Sequence, residues 1–189
     1  MGNEEVARKN LLRKGEELSG ETIKGYDFNN GVDYKKIVES FKSCGFQASH
    51  LAKAIEITNK MIAEKATIFL GYTSNMVSSG LRETIRYLVE NKKVDICVTT
   101  AGGIEEDIIK CLGDFKLGDF RASGKQLREK GINRIGNIFV SNELYVKFEK
   151  FMSSVLDEIY SEQKKSGMII FPSDLIWKLG EKINDKNSI

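Results

Sequence analysis

The sequence predicts an α/β fold of Rossmann-like type, in which helices precede a mostly parallel, doubly wound sheet. Two consecutive strand, loop and helix units indicate this class. In each unit an apolar, β-prone run (68–70 or 96–98) leads into a loop of small polar residues (73–75 or 99–103), and a helix follows directly. Main-chain amides at such helix starts can bind phosphate. The layout therefore predicts a nucleotide-binding site.

Helical patterns precede the first of these units. Residues 4–18 are charged and helix-prone and end at a Ser-Gly break, so residues 1–24 are interpreted as an N-terminal helical arm. Asp33 is placed to cap the next helix, and apolar residues at helical spacing predict another helix over about 49–63. Residues 25–189 are predicted to form one α/β domain.

Four further elements are predicted after the second unit. Residues 125–129 favour a short helix, and residues 131–140 favour a single strand. An apolar stripe at helical spacing predicts a helix that ends before Gly167. Pro172 opens a final helix that is predicted to run through Ile183.

Composition excludes some classes of partner. With 29 Lys and Arg against 27 Asp and Glu, and no run of like charge, the chain lacks the signature of a nucleic-acid-binding protein. No stretch approaches the roughly 20 apolar residues of a membrane helix. Cys44, Cys97 and Cys111 are isolated in apolar segments and are interpreted as buried free thiols. The sequence therefore predicts a cytoplasmic protein that binds no membrane.

Three carboxylates follow the second loop, at Glu105, Glu106 and Asp107. They have two interpretations. Acidic residues in a first helical turn complement the helix dipole, which is common and is favoured by the residues alone. The same carboxylates could instead bind a polyamine, because each bond from an ammonium group to a carboxylate in a partly dry pocket contributes roughly 1.5–3 kcal/mol.

Other motifs carry less information. His50 stands alone, without the spacing of a metal site or of a catalytic triad, so no metal site is predicted. The usual dinucleotide and ATP fingerprints are absent. Ser74, Ser78 and Ser79 lack the G-x-S-x-G context of a nucleophile and are interpreted as phosphate or ribose contacts.

Five segments carry a family resemblance across nearly the whole chain. They are KGYDFNNGVDY (24–34), GFQAS (45–49), IFLGYTSNMVSSGLRETIRYLV (68–89), VTTAGGIEEDIIKCL (98–112) and GINRIGNIFV (131–140) with the Asn-Glu pair at 142–143. In this order they resemble the deoxyhypusine synthases. The resemblance implies NAD-dependent transfer of the 4-aminobutyl group of spermidine to one lysine of the translation initiation factor 5A precursor, by a homotetramer and through an imine on an enzyme lysine.

The resemblance also implies roles for particular residues. It favours the polyamine interpretation of the acids, since Glu105 and Glu106 fall on spermidine-binding positions. The positions that it assigns to NAD are Ser74, Asn75, Met76, Val77, Ser78, Thr100, Ala101, Gly102 and Glu106.

Members of this family are nearly twice as long as this chain, and their C-terminal part carries a Trp-Gly-Lys segment with the covalent lysine. Here Trp177 precedes Lys178 directly in a predicted amphipathic helix, so no catalytic residue is assigned to this chain. The NAD-binding domain at 25–189 is then expected to be incomplete. Two functions are expected: the N-terminal part of a synthase that needs a complementary chain, or an inactive paralogue that regulates or assembles with a complete synthase.

Overall fold

The computed structural model describes residues 2–189, which divide into two compact units. One unit ends at Ala66, and the other spans Thr67–Ile189. The predicted boundary between an arm at 1–24 and a domain at 25–189 stays a prediction. Within residues 2–189 no helix is long and apolar enough to cross a bilayer.

The first unit is built from helices α1 (Asn3–Leu11), α2 (Tyr34–Ser40) and α3 (Phe46–Ala63), with two short 3₁₀ turns. The cap predicted at Asp33 is confirmed, since its carboxylate accepts a bond from the backbone amide of Lys36 at 3.1 Å. The helix predicted over about 49–63 is confirmed and begins three residues earlier.

The second unit contains the two predicted strand, loop and helix units. Strand β1 (Phe69–Tyr72) leads to helices α4 (Ser74–Ser78) and α5 (Arg82–Glu90), and strand β2 (Ile96–Thr99) leads to helix α6 (Ala101–Leu112). The two strands pair in parallel, and Tyr72 lies opposite Thr99. Both strands therefore end at the same edge of the sheet.

A second sheet is antiparallel and was not predicted. Its order is β3 (Lys116–Leu117), β5 (Ile138–Ser141) and β4 (Ile132–Ile135). The single strand predicted over 131–140 is wrong, because Gly136 adopts a positive φ of 61° and turns the chain into a hairpin. The α/β class is thus confirmed. Within residues 2–189, however, only β1 and β2 are parallel, and the other three strands form an antiparallel sheet.

The remaining helices follow the predicted bounds. Helix α7 spans Gly124–Glu129, and helix α9 spans Pro172–Ile183. Helix α8 spans Asn142–Ser166 and ends at Gly167, whose left-handed backbone provides the cap.

Helix α6 lies between two apolar clusters. Ile108 packs with Val155 and Ile159 of α8 and with Leu179 of α9. On its other side, Ile109 is fully buried with Val140 of β5 and Leu144 of α8. The two clusters hold α6 between the long helices and the antiparallel sheet.

A buried ion pair joins α5 to α6. The guanidinium of Arg82 donates to the Asp107 carboxylate at 2.7 Å and to its backbone carbonyl at 3.1 Å, and a third bond reaches the Cys111 sulfur at 3.0 Å. Burial alone would lower the pKa of Arg82, but the bonds to Asp107 outweigh burial and raise it.

The same carboxylate holds residues 188–189. The Ser188 hydroxyl and the Ile189 amide both donate to Asp107, at 2.5 and 3.2 Å. The Ile189 side chain packs beside the cluster of Tyr72, Val77 and Ile85. Asp107 therefore connects three separate segments.

The cysteines depart from the sequence interpretation. All three are free, as predicted, but Cys97 is exposed, and Cys44 and Cys111 are half-buried. Cys97 lies in the middle of β2, where its neighbours Ile96 and Val98 are also exposed among the described residues. An apolar strand pattern therefore did not imply burial here.

We expect Arg82→Met to lower the free energy of unfolding by about 3–5 kcal/mol, because it leaves the buried Asp107 without its cation. Denaturant unfolding measures this change. The control, Lys147→Met, removes an exposed partner of Glu143 and should cost less than about 1 kcal/mol. Equal effects of the two variants would contradict the structural role of the buried pair.

Candidate functional site

The two predicted cofactor segments lie side by side. Because β1 and β2 end at the same sheet edge, α4 and α6 begin next to each other. The approach is close: a Cβ added to Gly102 would lie 3.0 Å from the Cβ of Ser74. The structure thus brings together segments that are far apart in the sequence.

The amino end of α6 is suited to an anionic group. No side chain caps this helix end, so its first amides are not used by a capping residue. Gly103 is buried, and a Cβ there would lie 2.2 Å from the Thr99 hydroxyl oxygen. That hydroxyl is itself buried and has no hydrogen-bond partner among residues 2–189. The uncapped amides and the unpaired hydroxyl fit a nucleotide cofactor.

The predicted NAD residues of α4 differ in burial. Ser74 is half-buried, whereas Asn75 and Met76 are exposed. Val77 and Ser78 are buried, and the Ser78 hydroxyl donates to the Ser74 carbonyl at 3.2 Å. A ligand in contact with α4 would meet the side chains of its first turn, and Val77 would serve as packing beneath them.

The acidic residues separate into two roles. Asp107 is committed to Arg82, so it belongs to the core and not to a polyamine site. Glu105 and Glu106 are half-buried, and the Glu106 Oε2 atom has no hydrogen-bond partner among the described residues. Burial raises the pKa of Glu106 to about 7, Glu105 adds to the rise, and Lys110 opposes it. An unpaired carboxylate of this kind would gain from a cation.

Tyr145 of α8 lies near this acidic pair and was missed by sequence reasoning. Burial raises the pKa of its hydroxyl, and the charges of Glu105 and Glu106 raise it further. The apolar spacing of α8 marked Tyr145 only as a packing residue. Nothing in the linear pattern indicates that α8 begins beside α6.

A cleft of about 780 Å³ adjoins these residues. Its polar lining residues include Thr99, Thr100 and Glu105, and its apolar lining comes mainly from α6, α8 and α9, with Ile104 and Leu175 among the residues. A mostly apolar cleft with a few polar groups is the usual form of a small-molecule site.

Other candidates lie elsewhere or are not supported. His50 is exposed on α3 in the first unit, with its ring Nδ1 3.2 Å from the Gln47 side-chain oxygen. Among residues 2–189 no three His, Cys, Asp or Glu side chains cluster in a way that could ligate a metal.

Fold and site together define an α/β protein with two small-residue loops and an acidic pair at one edge of a parallel strand pair. The family model for deoxyhypusine synthase matches residues 36–189. The chain belongs to the deoxyhypusine synthase family.

Individual relatives agree with this assignment. The chain is 47% identical to the deoxyhypusine synthase assigned in Drosophila melanogaster, over 97% of this chain and 57% of that protein. It is 44% identical to homospermidine synthase 2 of Senecio vernalis, over 96% of this chain and 56% of that protein. A crystal structure of an Entamoeba histolytica protein assigned as a deoxyhypusine synthase superposes on this chain with a TM-score of 0.64 and is 37% identical to it. The match covers 88% of this chain and 58% of that protein. The chain thus spans little more than half the length of these relatives.

Glu106 should make stability depend on pH. Its pKa in the folded chain, about 7, exceeds the ordinary 4.5, so between these pH values the folded state holds a proton that the unfolded state has lost. The free energy of unfolding should therefore fall as pH rises through this window. Denaturant unfolding at about pH 5 and about pH 8 measures the fall, and Glu106→Gln should reduce it.

Glu105→Gln provides a second measurement of the same carboxylate. Removing the neighbouring charge should lower the pKa of Glu106, which nuclear magnetic resonance of the labelled side chain would detect. A Glu106 pKa near 4.5 in the unaltered chain would contradict the buried position of this carboxylate.

Proposed function

We propose that this chain is the N-terminal part of a cytoplasmic deoxyhypusine synthase. The reaction is the NAD-dependent transfer of the 4-aminobutyl group of spermidine to a lysine of the translation initiation factor 5A precursor. The observation that carries the proposal is the placement of the half-buried acidic pair, Glu105 and Glu106, beside the adjacent starts of α4 and α6, in a chain of this family. Activity is proposed to require a complementary segment.

The proposed cofactor site uses both helix starts. Ser74, Asn75, Met76, Val77 and Ser78 of α4, and Thr100, Ala101 and Gly102 at the start of α6, would hold NAD. Gly102 and Gly103 let α6 begin close to Ser74 and Thr99, and the uncapped end of α6 favours phosphate. When bound, NAD supplies the acceptor for a hydride from spermidine. These residues would fix its orientation.

Glu105 and Glu106 are the proposed spermidine contacts. A polyamine ammonium brings positive charge to a carboxylate whose ionised form is otherwise disfavoured by burial. Binding would therefore stabilise the charged form of Glu106 and release its proton near neutral pH. Glu106 is also the proposed acid in contact with NAD, so one side chain would hold the polyamine against the cofactor.

The covalent lysine is proposed to come from the complementary segment. Lys178 of α9 is paired with Glu162 of α8, which leaves it bound on the helix surface. The Lys110 ammonium donates to three backbone carbonyls and has no free lone pair in that state. Lys178 is held in an ion pair and the Lys110 ammonium is held by three acceptors, so neither lysine is proposed as the imine-forming nucleophile.

The parallel strand pair is proposed to belong to a larger doubly wound sheet. Phe69 of β1 and Val98 of β2 are 64% and 56% exposed, which is high for apolar side chains in parallel strands. A complementary synthase segment, or another copy in a homotetramer, would cover them. In this arrangement residues 25–189 are the first part of the NAD-binding domain, and residues 1–24 are its helical arm.

Glu106→Gln should impair the use of spermidine in the active assembly. The amide keeps the shape but loses a charged hydrogen bond, so kcat/KM for spermidine should fall about ten- to a hundredfold. Steady-state assays at varied spermidine measure it. Glu90→Gln is the matched control, since Glu90 is exposed and bonded to Arg86 of the same helix. Equal losses in both variants would refute the acidic-pair assignment.

Co-expression with a family segment that carries Trp-Gly-Lys should give a stable complex with synthase activity. Each chain alone should be inactive, because the acidic pair and the nucleophile lie on different chains. Co-purification and a deoxyhypusine assay measure this, and borohydride trapping with labelled spermidine should mark the partner only. A label on this chain would contradict the proposed division of residues.

Two other outcomes of that experiment identify different functions. A stable complex without a gain in activity would favour the alternative, an inactive paralogue that regulates or assembles with a complete synthase. Transfer of the aminobutyl group to a free diamine instead of a protein lysine would match the homospermidine synthase relatives, to one of which the chain is 44% identical.

A further inference from the structure

Lys110 links α6 to the end of α4 through three hydrogen bonds. Its half-buried ammonium donates to the carbonyls of Val77, Ser78 and Ser79, at 2.9, 3.2 and 3.0 Å. An ammonium group has three donors, so all of them are used. The side chain also lies over the Phe115 ring, with the nitrogen 5.8 Å from the ring centre.

These carbonyls lie at the carboxyl end of α4, where a short helix leaves acceptors without partners. A cation there also complements the helix dipole. At the other end of α4, Ser74 is in close contact with Gly102 of α6. Helix α6 therefore contacts α4 at both ends, by packing of Gly102 against Ser74 at the amino end and by the hydrogen bonds of Lys110 at the carboxyl end.

The charges around Lys110 connect it to the acidic pair. The pKa of the Lys110 ammonium is lowered, mainly by burial and further by the charge of Arg82. The carboxylates of Glu83, Glu106 and Asp107 act in the opposite direction. Lys110 in turn opposes the rise in the pKa of Glu106. One side chain thus acts on the proposed NAD segment and on the proposed spermidine carboxylate.

We propose that Lys110 is a positioning residue for the cofactor: its three bonds hold α4 in the place where Ser74 and Asn75 can meet NAD. The role is distinct from contact with the substrate, because no donor of the ammonium remains free. The part that concerns NAD rests on the proposed function. The part that concerns α4 rests on the hydrogen bonds alone.

Hydrogen exchange of the chain without ligand tests the hold on α4. In Lys110→Met, amides over residues 75–82 should exchange about tenfold faster, while those in the centre of α8 keep their rates. Lys110→Arg keeps a cation and should restore most of the protection. Lys147→Met, which removes a lysine paired on the surface of α8, should leave residues 75–82 unchanged. Unchanged exchange over 75–82 in Lys110→Met would overturn the proposal.

Steady-state kinetics of the complex with its complementary segment test the role toward NAD. Lys110→Met should raise KM for NAD about tenfold with little change in kcat, and Lys110→Arg should lie between it and the unaltered chain. A fall in kcat at unchanged KM would overturn the positioning role. If the unaltered complex binds no NAD, the proposed function fails, and the exchange experiment still decides whether Lys110 holds α4.

Discussion

The ion pair between Arg82 and Asp107 determines how the second unit is put together. It joins α5, which returns from β1, to α6, which follows β2, and thereby fixes the two strand, loop and helix units relative to each other. The same carboxylate receives Ser188 and Ile189. A buried charge pair of this kind adds little net stability compared with apolar packing. It restricts how α5 and α6 can pack, because a buried charged group that loses its hydrogen bonds is costly.

Helix α6 carries core residues and candidate site residues within three turns. Asp107, Ile108 and Ile109 are buried, whereas Glu105 and Glu106 are half-buried, and Glu105 lines the cleft. The two sets are adjacent along the chain, and the acidic pair lies nearer the amino end of α6, where the start of α4 is close. The packing of Ile108 and Ile109 fixes the position of α6, and Gly102 and Gly103 let the helix begin close to α4 and β2.

The sequence predicted elements whose signals are local. The apolar runs before β1 and β2, Pro172 at the start of α9 and Gly167 after α8 each act within a few residues, and the structure confirms them. The hairpin after α7 was missed because the turn at Gly136 interrupts a run that otherwise has the composition of one strand. The structural roles of Asp107 and Lys110 could not be predicted, because their hydrogen-bond partners lie more than twenty residues away along the chain.

The parallel pairing of β1 and β2 has a consequence for the order in which this chain folds. Phe69 of β1 can pair with Ile96 of β2 only after the chain between them, which contains α4 and α5, has closed into a loop. Ile135 pairs with Ile138 across a tight turn. Closing the longer loop costs more chain entropy before any strand contact forms. The antiparallel hairpin should therefore form early, and the sheet edge that gathers the candidate site should be completed among the last steps.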